Sequence, residues 1–215
     1  NNKTDADIEY AIDCGIGYFV ADNEEEICAI DHFAAKKGIS QKILIRLTPG
    51  IDPHTYEAVA TGKVDSKFGS AIVTGEAERV TKIALSKKNI ELCGFHCHVG
   101  SQVFDSEVYL AAAETMLSFV ADMKKNYGFE TKQLNLGGGY GVRYTEKDPE
   151  IDYAEKISEI ASVLKGQCDK YGISVPRISM EPGRSIVADA GLTLYTVGSV
   201  KEIRGYKNYV SIDGG

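Results

Sequence analysis

Residues with the potential to bind a ligand or take part in catalysis occur at three places, each where a short apolar stretch ends. Residues 91–102 read ELCGFHCHVGSQ and bring two histidines and a serine to one loop. Residues 134–141 read LNLGGGYG, and residues 178–184 read ISMEPGR. A flat ring, a phosphate and a charged partner could all be held where three such strands end at one face of a parallel sheet. The pattern indicates a phosphorylated aromatic cofactor.

The two histidines of the first motif lie two residues apart, so on a strand both project to one face. A zinc site is one interpretation, but it would need further ligands, and the only other histidines are His32 and His54. A buried structural histidine remains an alternative for His96. The favoured interpretation has His98 stacking on a flat cofactor while Ser101 donates a hydrogen bond to its phosphate.

The glycine motif contains Gly137, Gly138 and Gly139, whose backbone can approach an anion closely. No Gly-Lys-Ser/Thr follows, so it is not a Walker loop. The dinucleotide fingerprint also fails, because its last glycine would fall at Val142. A simple tight turn explains three glycines about equally well, so phosphate binding is one of two interpretations.

The third motif places a carboxylate, Glu181, directly after a strand. Such a carboxylate could hydrogen-bond a protonated pyridine nitrogen. Arg184, three residues later, could hold a phosphate or a substrate carboxylate with two parallel hydrogen bonds. A surface salt bridge is the alternative for these two residues taken alone.

Alternating strand-like and helix-like segments connect the motifs and would position them. The apolar spacing predicts five such strands, at 18–20, at 42–47, in the motif that starts at 91, in the motif that starts at 134 and at 177–180, with helices between them. Thr4 with Asp7, and Asp22 with Glu25, are the capping pairs expected at the first two helices. This alternation predicts an α/β fold with a parallel sheet, and motifs at successive strand ends favour a (β/α)8 barrel. A doubly wound sheet is the second choice. A long loop is expected from Thr48 to about Gly75, and β-type alternation from Gly191 onwards.

The composition is that of a globular protein, with 215 residues, 43% hydrophobic and 26% charged. The net charge of −7 argues against nucleic acid as a partner. No apolar run approaches the ~18 residues of a membrane span, so no membrane association is expected. Five cysteines, an odd number within predicted helices and strands, favour reduced thiols and a cytoplasmic location.

Taken together, the motifs resemble those of the fold-type III pyridoxal-phosphate-dependent decarboxylases. The matching strings are NNKT at 1–4, TG at 61–62, SKFG at 66–69, HCHVGSQ at 96–102, LGGGYG at 136–141, EPGRS at 181–185 and DGG at 213–215. They span nearly the whole chain and are specific in combination.

This resemblance implies a cofactor, pyridoxal 5′-phosphate, and a role for each matching residue. His98 would stack on the pyridine ring, and Glu181 would pair with the ring nitrogen; these two are the expected catalytic residues. The phosphate would be bound by Ser101 and the three glycines of the 137–139 motif. Gly183 and Arg184 would complete the cofactor contacts, with Arg184 also a candidate for the substrate carboxylate. Arg46 would match an active-site arginine of the family. No metal is implied.

The motifs are most similar to the branch of the family that decarboxylates meso-diaminopimelate to L-lysine. The ornithine branch fits less well, because its His-Val-Gly-Ser is not usually preceded by His-Cys and followed by Gln. Decarboxylation of ornithine, arginine or carboxynorspermidine remains an alternative, as does a catalytically silent cofactor-binding homologue. The family implies a small amino-acid substrate and a homodimer with shared active sites.

The chain also departs from the family pattern. The family's cofactor lysine lies in a strand with an aromatic-Ala-x-Lys pattern, which we expect upstream of Asn1 and not within this chain; Lys3 and Lys67 do not match by motif. The C-terminal Cys-Glu segment and substrate tyrosine are missing too. We therefore expect a piece of a longer protein, inactive by itself. Residues 1–190 would form a partial barrel of the alanine racemase type, and 191–215 the start of a C-terminal β domain.

Overall fold

The computed structural model describes residues 2–52 and 62–214. The helices are α1 (Asp5–Asp13), α2 (Glu24–Lys37), α3 (Glu76–Ser86), α4 (Ser106–Tyr127), α5 (Tyr153–Tyr171) and α6 (Arg184–Val187). The strands are β1 (Phe19–Ala21), β2 (Gln41–Thr48), β3 (Ser70–Ala71), β4 (Ile90–His96), β5 (Gln133–Asn135), β6 (Arg177–Ser179), β7 (Val197–Ile203) and β8 (Lys207–Ile212). Each of the five sheet strands expected from the sequence is present, with ends shifted by a few residues.

The main sheet is parallel throughout, and its order β1-β2-β4-β5-β6 follows the order of the chain, with β3 paired to β2. Crossovers between parallel strands are right-handed, so an order that never reverses puts the connecting helices on the same face. A doubly wound sheet needs a reversal. The topology is therefore that of a partial barrel, and the second choice, the doubly wound sheet, is wrong.

Local signals explain where the first two helices begin. Thr4 and Asp7 form a reciprocal capping box at α1, as the sequence predicts. For α2 the sequence favours Asp22 as the cap, but the cap is Asn23, whose side chain accepts from the Glu26 N–H. Asp22 instead donates its backbone N–H to the Glu26 carboxylate, a contact that sequence spacing does not reveal.

The apolar core lies between the sheet and its helices. Phe95 on β4 is fully buried and meets Phe119 of α4 edge-on, with ring centroids 5.1 Å apart. Phe129 contacts the same ring from the chain that follows α4. Since side chains alternate across a strand, the residue after Phe95 faces away from these helices.

A row of polar side chains crosses this opposite face at the carboxyl ends of four strands. Arg46 pairs with His96 in register, His96 with Asn135, and Asn135 with Ser179. Residues in register on parallel strands point to the same face. The interior face of the partial barrel thus ends in a polar row, which we call the strand-end row.

The segment after α6 contains a β-hairpin. The sequence predicts β-type alternation from Gly191 onwards, and the first strand there, β7, begins at Val197 and pairs antiparallel with β8. Apolar side chains are exposed on both strands of this hairpin. They are also exposed in its turn, where Tyr206 is 88% exposed, and before it, where Leu192 is 94% exposed. The hairpin is held by its own ladder.

The long loop after β2 contains the two-residue strand β3. His54 and Thr61, named in the sequence analysis, lie outside the described residues, as do Asn1 and Gly215. Across the described ranges, no cluster of three or more His, Cys, Asp or Glu side chains is arranged to hold a metal ion. None of the helices described here is long and apolar enough to cross a membrane.

Candidate active site

Glu181 is the carboxylate around which the strand-end row is organised. It lies two residues beyond β6, and its backbone N–H donates to the Gly137 carbonyl at 2.8 Å. Its Oε1 accepts a hydrogen bond from Asn135 Nδ2 at 2.8 Å. Its Oε2 lies 3.4 Å from His96 Nε2. The side chain is 51% exposed, so the carboxylate is held from the sheet side and open on the other.

These contacts lower the pKa of Glu181 below the ordinary value of a glutamic acid. The hydrogen bond from His96 lowers its pKa, burial opposes this, and the charge of His96 and the Asn135 amide lower it further, to about 2. The carboxylate is therefore ionised at neutral pH. It can accept a hydrogen bond from a cation that approaches its open side.

His98 lies within electrostatic range of Glu181, in the loop after the strand. β4 ends at His96, so His98 is the second residue of the loop. Its Nδ1 accepts a hydrogen bond from the Gly138 N–H at 3.3 Å, which leaves the ring proton on Nε2 when the imidazole is neutral. Burial, together with the nearby Arg46 and His96, lowers the pKa of His98. A neutral, half-buried, fixed ring is suited to stacking on a flat apolar ligand.

The three glycines let three strand ends interlock. A Cβ on Gly137 would lie 2.4 Å from the Cys97 carbonyl, and one on Gly138 2.1 Å from the Glu181 carbonyl. A Cβ on Gly139, whose φ is +97°, would lie 1.8 Å from the Gly100 carbonyl. The sequence predicted that these glycines let a phosphate approach the backbone closely. In this structure the carbonyl groups of Cys97, Glu181 and Gly100 approach the glycines closely.

Arg184 connects the third motif to the first. One guanidinium nitrogen donates to Ser101 Oγ at 3.1 Å, and another donates to the Tyr144 hydroxyl at 2.9 Å. The predicted pair of Arg184 and Ser101 is therefore brought together by the fold. Tyr144, in the loop after the glycines, is a partner that the sequence analysis did not identify.

Arg46 lies at the other side of the strand-end row, largely buried. Its guanidinium lies 4.5 Å from the centre of the Phe68 ring and 4.0 Å from Asp22 Oδ1. Burial lowers its pKa, while the charges of Asp22 and Glu181 oppose that change. The fold thus brings Arg46 into electrostatic range of Glu181, as its position at a strand end predicts.

Asn135 is a second site residue that sequence reasoning missed. It is 7% exposed and makes two hydrogen bonds at the site. The available signal was a single amide at the end of an apolar strand, directly before the glycines.

The lysine pattern of the family also needs a correction. The expectation that the chain contains no aromatic-Ala-x-Lys string is wrong, because these letters occur at 33–36. This stretch lies inside α2, and Lys36 is exposed near the helix end, with its ammonium 4.8 Å from the Phe33 ring centre. Within the described residues, neither this lysine nor Lys3, which pairs with Glu26, forms a hydrogen bond or ion pair with the strand-end row.

Residues 1–188 match the family model described as pyridoxal-dependent decarboxylase, pyridoxal binding domain. The chain belongs to this family. Its partial barrel is therefore a pyridoxal-binding domain.

Individual relatives agree with the family assignment. The chain is 43% identical over 215 residues to diaminopimelate decarboxylase of Bacillus methanolicus and 42% identical to that of Bacillus subtilis, covering 100% of this chain and 50% and 49% of those proteins. The structure of diaminopimelate decarboxylase from M. jannaschii in co-complex with L-lysine superposes with a TM-score of 0.84 at 31% identity, covering 100% of this chain and 49% of that chain. The chain thus spans about half the length of the relatives it matches.

Proposed function

We propose that the full-length protein is a pyridoxal-phosphate-dependent decarboxylase that converts meso-diaminopimelate to L-lysine. The observation that carries the proposal is the ionised, one-sided carboxylate of Glu181 beside the fixed ring of His98. Whole-chain identity to diaminopimelate decarboxylases supports the substrate. So does the likeness to two such enzymes that were crystallised with L-lysine.

The residues of this chain fit the pyridine end of the cofactor. Glu181 would hold the proton on the ring nitrogen, because a carboxylate with a pKa of about 2 stays ionised beside a pyridinium. His98 would cover one face of the ring and shield it from water. The carboxylate of Glu181 is held by Asn135 and His96, so its side chain would not rotate away from the ring.

The phosphate end has donors of a matching kind. Ser101 and Arg184 already lie together and could both donate to a phosphate, with Gly183 directly before Arg184 in the chain. Among the glycines, Gly137 and Gly138 donate to Asn135 and His98. The N–H of Gly139 donates to no acceptor within the described residues, so it is the glycine best placed for a phosphate oxygen.

When bound, pyridoxal phosphate supplies an electron sink for the negative charge left on the substrate carbon after loss of CO2. The chain's own residues tune that sink. Glu181 keeps the ring nitrogen protonated, and His98 keeps the ring in place. Arg184 provides a cation for the phosphate or the substrate carboxylate.

The test of the substrate uses purified full-length protein with pyridoxal phosphate and separate incubations with meso-diaminopimelate, ornithine, arginine and carboxynorspermidine. We expect CO2 release and L-lysine formation with meso-diaminopimelate. Preference for another of these amino acids would reassign the substrate. A bound-cofactor absorbance band without turnover on any of them would indicate a silent homologue.

A second test addresses the role of Glu181. Glu181→Gln should retain the cofactor absorbance band but lose at least about tenfold in turnover, because each pKa unit of preference for the protonated ring is worth about 1.4 kcal/mol. Turnover close to that of the wild type would remove the ring-nitrogen role from Glu181.

The larger assembly is part of the same proposal. Residues 1–190 would be the barrel portion and 191–215 the start of a β domain, in a cytoplasmic homodimer whose subunits share active sites. Five thiols, none paired within the described residues, agree with a reducing compartment. Mixing two inactive full-length variants, each altered on a different side of the shared site, should restore activity; no restoration would argue against shared sites.

A further inference from the structure

Asn135 makes two hydrogen bonds of opposite direction from one buried amide. Its Nδ2 donates to Glu181 Oε1 at 2.8 Å, and its Oδ1 accepts from the Gly137 N–H at 2.9 Å. A backbone N–H can only donate, so the amide oxygen must face Gly137 and the amide nitrogen must face the carboxylate. The orientation of the amide is thereby fixed by its two neighbours.

These bonds close a ring of contacts between two strand ends. Asn135 donates to the Glu181 side chain, the Glu181 N–H donates to the Gly137 carbonyl, and the Gly137 N–H donates back to Asn135. The second carboxylate oxygen of Glu181 faces His96. Moving the carboxylate therefore strains the start of the glycine loop, and moving the loop strains the carboxylate.

We propose that Asn135 is a positioning residue that ties the carboxylate at the ring end of the cofactor site to the glycine loop at its phosphate end. The inference rests on the proposed function, in which Glu181 and the glycine loop receive the cofactor. Its consequence is that both ends of the site are set as one unit. An aspartate here would keep the acceptor for Gly137 but place a second carboxylate against Glu181.

The decisive experiment is a swap of the two groups in the full-length protein, read out as the dissociation constant of pyridoxal phosphate in an absorbance titration. Asn135→Asp should weaken cofactor binding at least about tenfold, since the donor to a partly buried carboxylate is replaced by a like charge. Adding Glu181→Gln to it restores an amide–carboxylate pair with the polarity reversed. The double variant should bind the cofactor within about threefold of Glu181→Gln alone.

The matched control is Gln133→Glu. Gln133 lies on the same strand and face, and its amide donates to Ser179 Oγ at 3.0 Å without touching Glu181. The same amide-to-acid change there should leave the dissociation constant within about threefold of wild type. An effect as large as that of Asn135→Asp would mean that any acid on this strand is harmful, and would overturn the positioning role.

The remaining outcomes separate the two proposals. If wild type and Glu181→Gln bind no pyridoxal phosphate, the proposed function fails. If both bind it and Asn135→Asp binds equally well, only the positioning role fails. If Asn135→Asp does not fold, the double variant decides. Binding of pyridoxal phosphate within about threefold of Glu181→Gln supports the positioning role of Asn135. A double variant that stays unfolded, or binds no better than Asn135→Asp, overturns that role.

Discussion

The strand-end row and the hairpin β7–β8 hold their side chains in opposite ways. In the row, His96 and Asn135 are nearly buried, and each contacts a residue from another strand end. In the hairpin the backbone ladder runs along both strands with one irregularity between Val197 and Ser199, yet every strand residue except Ile203 is exposed. A two-stranded hairpin alone is at best marginally stable in water. Backbone pairing in a strand therefore does not by itself hold a side chain in one position. In the strand-end row, contacts between side chains from different strand ends do so.

The largest effect that would sharpen this contrast is expected at Gly139. Gly139→Ala forces a side chain into a backbone with φ +97° and a carbonyl 1.8 Å away, so the loop must move. We expect a loss of about 3 kcal/mol or more in the free energy of unfolding. Chemical denaturation of the full-length apo protein would measure it.

Gly191→Ala, just before the hairpin, is the matched control. Nothing lies within 4 Å of a Cβ there and its φ is not positive, so the change should stay within about 0.5 kcal/mol. Equal effects at Gly139 and Gly191 would break the contrast.

A smaller effect is expected from removing apolar contacts. Leu134 on β5 is fully buried, whereas Leu192 before the hairpin is 94% exposed. Leu134→Ala should cost about 2–5 kcal/mol of unfolding free energy, and Leu192→Ala less than about 0.5. Thermal unfolding of both variants would test the pair, and a cost at Leu192 similar to that at Leu134 would contradict the prediction.

The smallest of the three effects on the free energy of unfolding is expected at Glu26, a buried carboxylate in the first turn of α2. Glu26 accepts hydrogen bonds from the Lys3 ammonium, the Lys3 N–H and the Asp22 N–H. Burial raises its pKa, but these bonds outweigh burial and the net shift is downward from 4.5. Glu26→Gln leaves Lys3 without its charge partner and should cost about 1–3 kcal/mol.

The pH dependence follows from the sign of that shift. A carboxylate with a lowered folded pKa stabilises fully above its unfolded value and loses this contribution as pH falls through the lower folded value. Wild type should therefore lose stability relative to Glu26→Gln below about pH 4.5. Denaturation midpoints from pH 7 to pH 3 would measure this. Asp213→Asn, at an exposed hairpin contact, is the control and should show a smaller change; a constant difference across the pH range would contradict the Glu26 assignment.

Most of the fold was predictable because its signals are local. The capping box of Thr4 and Asp7 spans three residues, and the apolar spacing of the helices repeats within one turn. The cap of α2 was misplaced by one residue because Asp22 and Asn23 are both good caps. Two contacts distinguish them: the Glu26 N–H donates to the Asn23 side chain, and the Asp22 N–H donates to the Glu26 carboxylate.

The site was predictable in part. The motifs correctly pointed to strand ends, and the fold brings Arg184 to Ser101 and His98 to the glycines. Asn135 was missed because its importance depends on the register between β4, β5 and β6, which no single segment encodes. The specific roles in cofactor and substrate binding stay predictions.

The unreversed strand order has a consequence for how the molecule folds. Glu181 meets His96 across 85 residues of chain and Asn135 across 46, so no part of the carboxylate's setting can form locally. Contacts of such long sequence separation carry a large loop-closure cost and tend to form late. We expect β1, β2 and β4 to be paired before the carboxylate is set. During synthesis Arg46 and His96 would already be placed on the partly formed sheet before the segment that contains Glu181 leaves the ribosome.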